Sequence, residues 1–365
     1  MITNNRGLTR LQTDVLGMDL CSGCGACVGL CPYVTSFLGR TVVLDQCNLE
    51  EGRCFFFCPR TELDLDVLSR NLMGIPYGKG EIGTYRGAYS SRATETGTYQ
   101  AGGTVTALLE YLFDKQMIDA AALTSMAGVL PMADVVTDTE GVRRAAGSKY
   151  SAAPTLSALN RAASDGHRKM AVVGTPCQVT ATAKMRSTGG VERNPGDAVA
   201  YVIGLFCTWA LDYRKLFAYL SGRIDIADIT GFDIPPPPAE RFVAKTKNGD
   251  ISFPLSEIRP LVKESCKTCI DMTSEFADIS VGVCEDDPSH NLLIVRTKQG
   301  EDLISGAAES GAIVVSEITE EKLVHLKESA LAKKRRALTG LREKDPDNPW
   351  GYIVGPIDTL GTILK

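Results

Sequence analysis

The stretch "CSGCGACVGLCPY", Cys21 to Tyr33, constrains this chain more than any other. Four cysteines stand there at gaps of two, two and three residues, with a proline after the last. Such spacing leaves little room for a hydrophobic run, so a tight loop rather than a packed helix or strand is expected. A second stretch, "CNLEEGRCFFFCPR", Cys47 to Arg60, repeats the closing Cys-Pro but holds only three cysteines. The chain has 12 cysteines in 365 residues. Seven fall between Cys21 and Cys58, and the others are Cys177, Cys207, Cys266, Cys269 and Cys284. The N-terminal "MITNNRGLTRLQTDVLG" has no apolar signal core, so a cytoplasmic protein is expected. In a reducing compartment, clustered cysteines point to metal binding or redox work rather than disulfides.

C-x2-C-x2-C-x3-C-P is the run with which bacterial-type ferredoxins hold iron–sulfur clusters. The small residues Ser22, Gly23, Gly25 and Ala26 let the backbone wrap closely and aim N–H groups at cluster sulfurs. In the two-cluster arrangement Cys21, Cys24 and Cys27 share one cluster with Cys58. Cys31 crosses to the second, where Cys47 and Cys54 join it. Zinc would favour two C-x2-C pairs set farther apart. Three ligands leave the second cluster one short. A remote residue such as Cys284, a three-iron cluster, or an oxygen ligand from Glu50 or Glu51 are the alternatives, and two [4Fe–4S] clusters are the reading adopted.

Composition bounds the rest. Hydrophobic residues are 44% and charged residues 23%, an ordinary globular balance with room for two or three domains. The net charge of −5 argues against nucleic acid as a partner. The longest apolar run, "AVAYVIGLFCTWAL", is too short to cross a bilayer, so no integral membrane segment is expected. A place at the periphery of a membrane complex, through partner subunits, stays open.

Along the chain, residues 1–75 carry the cysteine block. "MGIPYGKGEIGTYRG" reads as a linker or an ordered loop. Helical spacing follows in "GGTVTALLEYLFDKQMID", with Thr104 as the expected cap. "KMAVVG", "AVAYVIGLFC", "FADISVGV" and "LLIVRT" read as buried strands, and "VTATAKMR" as a helix. Strands alternating with helices indicate an α/β domain with a parallel or mixed sheet. "PPPP", Pro235 to Pro238, reads as a stiff surface loop. Thr319 to Lys344 reads as a long amphipathic helix whose basic end, "AKKRRALTGLREK", is a solvated face, with partner docking as the alternative. His167, His290 and His325 sit in no motif. Cys177 and Cys207 each end a buried apolar run, so both are expected at one edge of the sheet, where ligands tend to bind. With "CKTC", Cys266 and Cys269, four thiols from three segments can converge on a third cluster, although two such thiols alone are ordinary buried side chains.

"LCSGCGACVGLCP", "CPR", "QAGGTVTALL", "AAGSKYS", "VGTPCQ", "GLFC" and "CKTCIDMTSEFADISVG" occur here in one order. Together they resemble the coenzyme F420-reducing hydrogenase/dehydrogenase beta-subunit family over about residues 10 to 310. The resemblance implies a ferredoxin-like iron–sulfur domain (1–75), an α/β catalytic domain with a mixed sheet that binds FAD and iron–sulfur (76–312), and a C-terminal helix and tail (313–365). It implies that Cys177, Cys207, Cys266 and Cys269 bind the catalytic-domain cluster, for two or three [4Fe–4S] clusters in all. It implies a flavin near Gly102, Gly103 and Thr104, with Ser148, Lys149 and Tyr150 on a second loop and Thr175 and Pro176 at the ring. No catalytic residue is assigned. The family pattern continues after "ADISVG" with Asp or a small polar residue, whereas here "VCEDD" follows. Cys284 is therefore extra and reads as a buried side chain. The implied activity is a flavin-dependent oxidoreductase subunit passing electrons between coenzyme F420 and a redox partner such as hydrogenase, formate dehydrogenase or ferredoxin. The rival is a relay subunit of a larger complex, of hydrogenase, formate dehydrogenase or heterodisulfide reductase type, that serves ferredoxin, NAD(P)H or an organic substrate.

Overall fold

The computed structural model describes residues 6–363 apart from 79, 96 and 98. At its centre lies an eight-stranded mixed sheet. Its strands are β1 (Gly87–Ala93), β2 (Ala120–Ala127), β3 (Leu130–Val136), β4 (Met170–Gly174), β5 (Val199–Leu205), β6 (Ile279–Val283), β7 (Asn291–Val295) and β8 (Ile313–Glu317). The order across the sheet is β8-β1-β7-β6-β5-β4-β2-β3. The middle four, β6-β5-β4-β2, are parallel, and the flanking pairs are antiparallel. Parallel strands are covered on both faces and read as continuous apolar runs. Ala171 and Val172 of β4 and Val202 and Ile203 of β5 are accordingly buried. That is why "MAVVG" and "AVAYVIGL" were readable as strands, whereas "GAYSSRA" (β1) carries no apolar run.

Helices α1 (Thr104–Asp114), α2 (Leu156–Ser164), α3 (Pro176–Ser187), α4 (Lys298–Glu309) and α5 (Glu320–Lys344) pack around this sheet. α3 starts where β4 ends, with Pro at its first position and a capping box between Thr175 and Gln178. α5 starts where expected, capped by the Thr319 side chain on the Lys322 amide. Its basic run is not a uniformly solvated face: Lys333 and Lys334 are buried along with Leu326, Ala330, Ala337, Leu338 and Leu341. Burying such leucines stabilises by about 1.5–3 kcal/mol each. This packed stripe covers the molecule's own core, so the solvated-face reading holds for Arg335, Arg336, Arg342 and Lys344, which are exposed, and is corrected for Lys333 and Lys334.

α1 departs from its expected start. Gly103, at φ +76, is the N-cap, and Thr104 is already helical. The Asn291 side chain accepts from the Thr104 amide at 3.2 Å and does the capping from across the sheet.

The N-terminal block carries a short antiparallel hairpin, Val34–Phe37 with Arg40–Val43. One hydrophobic cluster contains Leu8, Leu11, Phe55 and Leu68, then Val179, Val202 and Phe276, then Leu338, Leu341 and Leu360. Core residues from the beginning, middle and end of the chain thus pack together. Leu63–Asp64 also pairs in parallel with Ile353–Gly355. Between the helix Leu65–Met73 and β1, Tyr77 and Ile82 are buried. No described helix is long and apolar enough to cross a membrane.

Candidate functional site

The first cysteine loop is held by backbone that only glycine supplies. Gly23 and Gly25 have φ of +74 and +86, and a Cβ on either would lie 2.3 Å from a carbonyl oxygen, of Gly39 or Pro154. The Asn160 side chain of α2 donates to the carbonyls of Ala26 at 3.0 Å and Val28 at 2.8 Å, pinning the loop from outside. Cys58 arrives from the turn after the helix Arg53–Phe56. Cys21, Cys24, Cys27 and Cys58 then line a space of about 320 Å³, bordered by Thr41, Leu11, Val15 and Pro59. The Thr41 hydroxyl lies 3.5 Å from Cys21 Sγ and 3.7 Å from Cys27 Sγ. Burial pushes the Cys24 thiol well up, and the nearby thiols of Cys177, Cys58 and Cys27 push it further. Burial likewise raises Cys58 to about 12, opposed by the Lys184 ammonium.

The second set is different. Burial raises Cys54 to about 11, and Cys31 and Cys47 are the thiols that add to it. Among the described residues, no fourth cysteine joins them. Cys284 packs in a different hydrophobic cluster from Cys31, Cys47 and Cys54: it is buried just beyond the C-terminal end of β6 among Ile82, Leu292, Leu326 and Ala330. Its thiol donates to Asp286 Oδ1 at 3.0 Å. Glu50 and Glu51 are exposed. Their backbone pairs with Arg6, whose amide donates to the Glu50 carbonyl at 2.6 Å.

The third set is made by topology. β4 and β5 are adjacent and parallel, so Cys177 and Cys207 leave the sheet at the same edge. The short helical turn Glu264–Thr268 brings Cys266 against this edge, and Cys269 follows it. The Ala210 amide donates to Cys266 Sγ at 3.3 Å. Burial raises the Cys207 thiol, and Cys266, Cys177 and Cys269 raise it further against the Lys333 ammonium. Cys269 goes the other way: burial would raise it, but Lys333 and Arg60 hold it below the ordinary thiol value. A space of about 360 Å³ opens beside Cys177 and Cys269, walled by Arg60, Tyr77, Glu275 and Tyr352. Cys24 and Cys177 belong to one hydrophobic cluster, so the first and third sets are neighbours.

Among the described residues, no three Cys, His, Asp or Glu close on one point as a single ion would need. The first set instead rings a space, and Cys177 and Cys269 of the third set line another. Two buried donor atoms of residues beside the third set have no hydrogen-bond partner among the described residues, Arg60 Nε and Ser265 Oγ.

The residues expected at a flavin fall into two groups. Gln100 joins the first two loops: its Oε1 accepts from the Ser148 amide, and its Nε2 donates to Tyr150 Oη at 2.9 Å. Tyr150 Oη in turn donates to Asp233 Oδ1 at 3.2 Å. Gly102 is pressed against Asn291, where a Cβ would lie 2.9 Å from the Asn291 amide nitrogen. Thr104 is buried, with its hydroxyl 2.9 Å from Ser91 Oγ. Lys149 turns back on its own loop, donating to the carbonyls of Ala145, Ala146 and Gly147 after a short helix. Burial pulls it down to about 8. Thr175 and Pro176 stand apart from these loops, at the third thiol set, with Thr175 Oγ1 3.5 Å from Cys177 Sγ.

Sequence reasoning missed the cations. Lys333 donates at 2.6 Å to the carbonyls of both Cys207 and Asp271. Arg60 donates to the carbonyls of Ser265 and Thr268, each at 3.1 Å, and to Tyr352 Oη, and it lies over the Tyr352 ring. Lys184, on α3, donates to the Cys58 carbonyl at 2.8 Å. Lys334 is different, pairing with Glu275 at 2.6 Å, both buried. Only the "CPR" context of Arg60 marked any of these in the sequence.

A family model for the N-terminal part of the coenzyme F420 hydrogenase/dehydrogenase beta subunit matches residues 88–160, and the model for the C-terminal part of the same beta subunit matches residues 167–321. Among relatives, a coenzyme F420 hydrogenase subunit beta of Methanococcus voltae is 31% identical over 252 residues, 66% of this chain and 88% of that protein. A coenzyme F420-dependent sulfite reductase of Methanocaldococcus jannaschii is 30% identical over 333 residues. That match takes in 86% of this chain but only 50% of the reductase, so this chain corresponds to about half of it. A chain solved in the F420-reducing [NiFe] hydrogenase complex of Methanosarcina barkeri superposes with a TM-score of 0.66 at 26% identity, over 72% of this chain and 93% of that one. The matched models, the relatives and the shared architecture agree: the chain belongs to the coenzyme F420 hydrogenase/dehydrogenase beta-subunit family.

Proposed function

We propose that this chain is an oxidoreductase subunit that passes electrons between coenzyme F420 and a redox partner subunit, through FAD and iron–sulfur clusters. The grouping of eleven cysteines into sets of four, three and four, two of them adjacent, is the observation that carries this reading. Cys21, Cys24, Cys27 and Cys58 would hold one [4Fe–4S] cluster. Cys177, Cys207, Cys266 and Cys269 would hold another. Cys31, Cys47 and Cys54 would hold a third with one iron not bound by cysteine. When bound, the flavin takes up two electrons at once and the clusters carry them singly.

The protein's own part is positional. Thr175 fixes the start of α3 and so the direction of Cys177. Asn160 holds the first loop to α2. The buried Cys24 and the half-buried Cys177 pack in one apolar cluster, which sets the two groups of thiols side by side. The loops joined by Gln100 are the proposed flavin cradle, with Ser148 and Tyr150 as its polar contacts. In this reading Lys149 shapes the cradle by closing its loop. The organisation into a cluster domain (1–75), a flavin domain (76–312) and a tail (313–365) belongs to the same proposal.

The test is iron, acid-labile sulfide and flavin per chain, followed by turnover of reduced coenzyme F420 with a viologen dye. About eleven to twelve irons and one FAD with turnover are expected. Zinc without iron or sulfide would end the reading. Full cofactors without turnover would leave a relay subunit with a different two-electron partner.

A further inference from the structure

Buried cations normally have a carboxylate. Removing an unpaired charge from water costs several kcal/mol, so burial without an anion is rarely tolerated. Lys334 obeys this rule through Glu275. Arg296, fully buried, has both Glu275 and Asp271 nearby. Arg60 and Lys333 form no such ion pair. Each is 4% exposed, and among the described residues neither has a carboxylate within ion-pair distance. The Asp271 charge acts on Lys333, but that carboxylate accepts from the amides of Thr273 and Glu275, and Lys333 bonds to the Asp271 carbonyl rather than to its carboxylate.

Both cations are bound to carbonyls of the third thiol set. Lys333 holds the Cys207 carbonyl and the residue two beyond Cys269. Arg60 holds the residues flanking Cys266 and Cys269, with its Nε unpartnered. They come from opposite ends of the chain. Arg60 stands two residues after Cys58, a first-set thiol, and Lys333 lies in a helix almost wholly beyond the matched family models.

We propose that Arg60 and Lys333 are the counter-cations of a cluster on Cys177, Cys207, Cys266 and Cys269, and that they hold its reduction midpoint up. The inference rests on the cluster reading above. Reduction adds a negative charge inside the site, and two buried positive charges stabilise that added charge more than the oxidised form. They act as positioning residues as well, because each orients the backbone that carries the thiols.

The experiment is an EPR-monitored redox titration of the intact, cluster-loaded protein. In Lys333→Met one cluster component is expected to shift its one-electron equilibrium toward the oxidised form by at least tenfold, about 59 mV, with the other components unmoved. Lys333→Arg should keep the wild-type midpoint. Arg336→Met, which removes an exposed charge from the same helix, should move nothing. A wild-type midpoint in a fully loaded Lys333→Met overturns the proposal. If that variant loses its iron, Lys333→Gln and Arg60→Gln are titrated in the same way, and unmoved midpoints there overturn it too. Iron retained by Lys333→Arg alone would support the same requirement for charge. Absence of iron and sulfide from the wild type would instead sink the cluster reading, so the two failures are distinguishable.

Discussion

The first and second thiol sets begin in the same sequence run and end up in opposite circumstances. Cys24 and Cys27 are buried, ringed by Leu11, Val15 and Pro59, with Cys58 as a fourth thiol. Cys31 and Cys47 are half-exposed, in a region where Tyr33, Phe37, Leu44 and Leu49 face solvent. The first set has Lys184 on the Cys58 backbone. Near the second, the half-buried Arg53 donates to the Leu30 carbonyl at 3.1 Å. The difference teaches that a shared motif does not impose a shared environment. The inward set is completed by a fourth thiol and has two buried cysteines, whereas the outward one, among the described residues, stops at three thiols and buries only Cys54.

Substitution of the inward set is expected to have the largest effect. Cys24→Ser should remove about four irons per chain and broaden thermal unfolding, measured by iron assay and calorimetry. Equal iron loss from Cys47→Ser and Cys24→Ser, with equal unfolding, would erase the contrast between the sets. Next, Lys334→Met removes the ion-pair partner of the buried Glu275 and leaves it the Tyr77 hydroxyl, at a cost of about 3 kcal/mol, read by denaturant unfolding. Gly25→Ala follows: its Cβ would meet the Pro154 carbonyl at 2.3 Å and a φ of +86, for an expected loss of about 1–3 kcal/mol with iron reduced. Under mild oxidation with a chelator, iron should leave the three-thiol set first, seen as a fast fraction that Cys47→Ser abolishes. The smallest effect is expected from Cys284→Ser, within about 1 kcal/mol of the parent and with full iron, because the hydroxyl can still donate to Asp286. Iron loss there would restore Cys284 as a ligand.

Much of this was legible in the sequence because it is local. Glycines between cysteines announce a tight loop, and "MAVVG" followed by "TPCQ" announces a strand running into a capped helix. Convergence of Cys177 and Cys207 followed from their position after apolar runs. What stayed hidden depends on residues far apart in the chain. The α1 cap is Asn291, which no spacing near Gly103 could reveal. β1 alternates small and polar residues because it lies in the antiparallel part of the sheet, between β8 and β7. Lys333 and Lys334 look like solvated charges until Glu275 and the Cys207 carbonyl are known to lie beneath them.

The parallel pairing of Leu63–Asp64 with Ile353–Gly355 has a consequence for the order of events during synthesis. The cysteine block is translated first, yet its neighbouring strand finds its partner only when almost the whole chain has emerged. Lys333, too, reaches Cys207 late. Completion of the thiol sites is therefore expected after release from the ribosome rather than during elongation. A chain arrested before residue 320 would then bind less iron than the finished one despite carrying every cysteine.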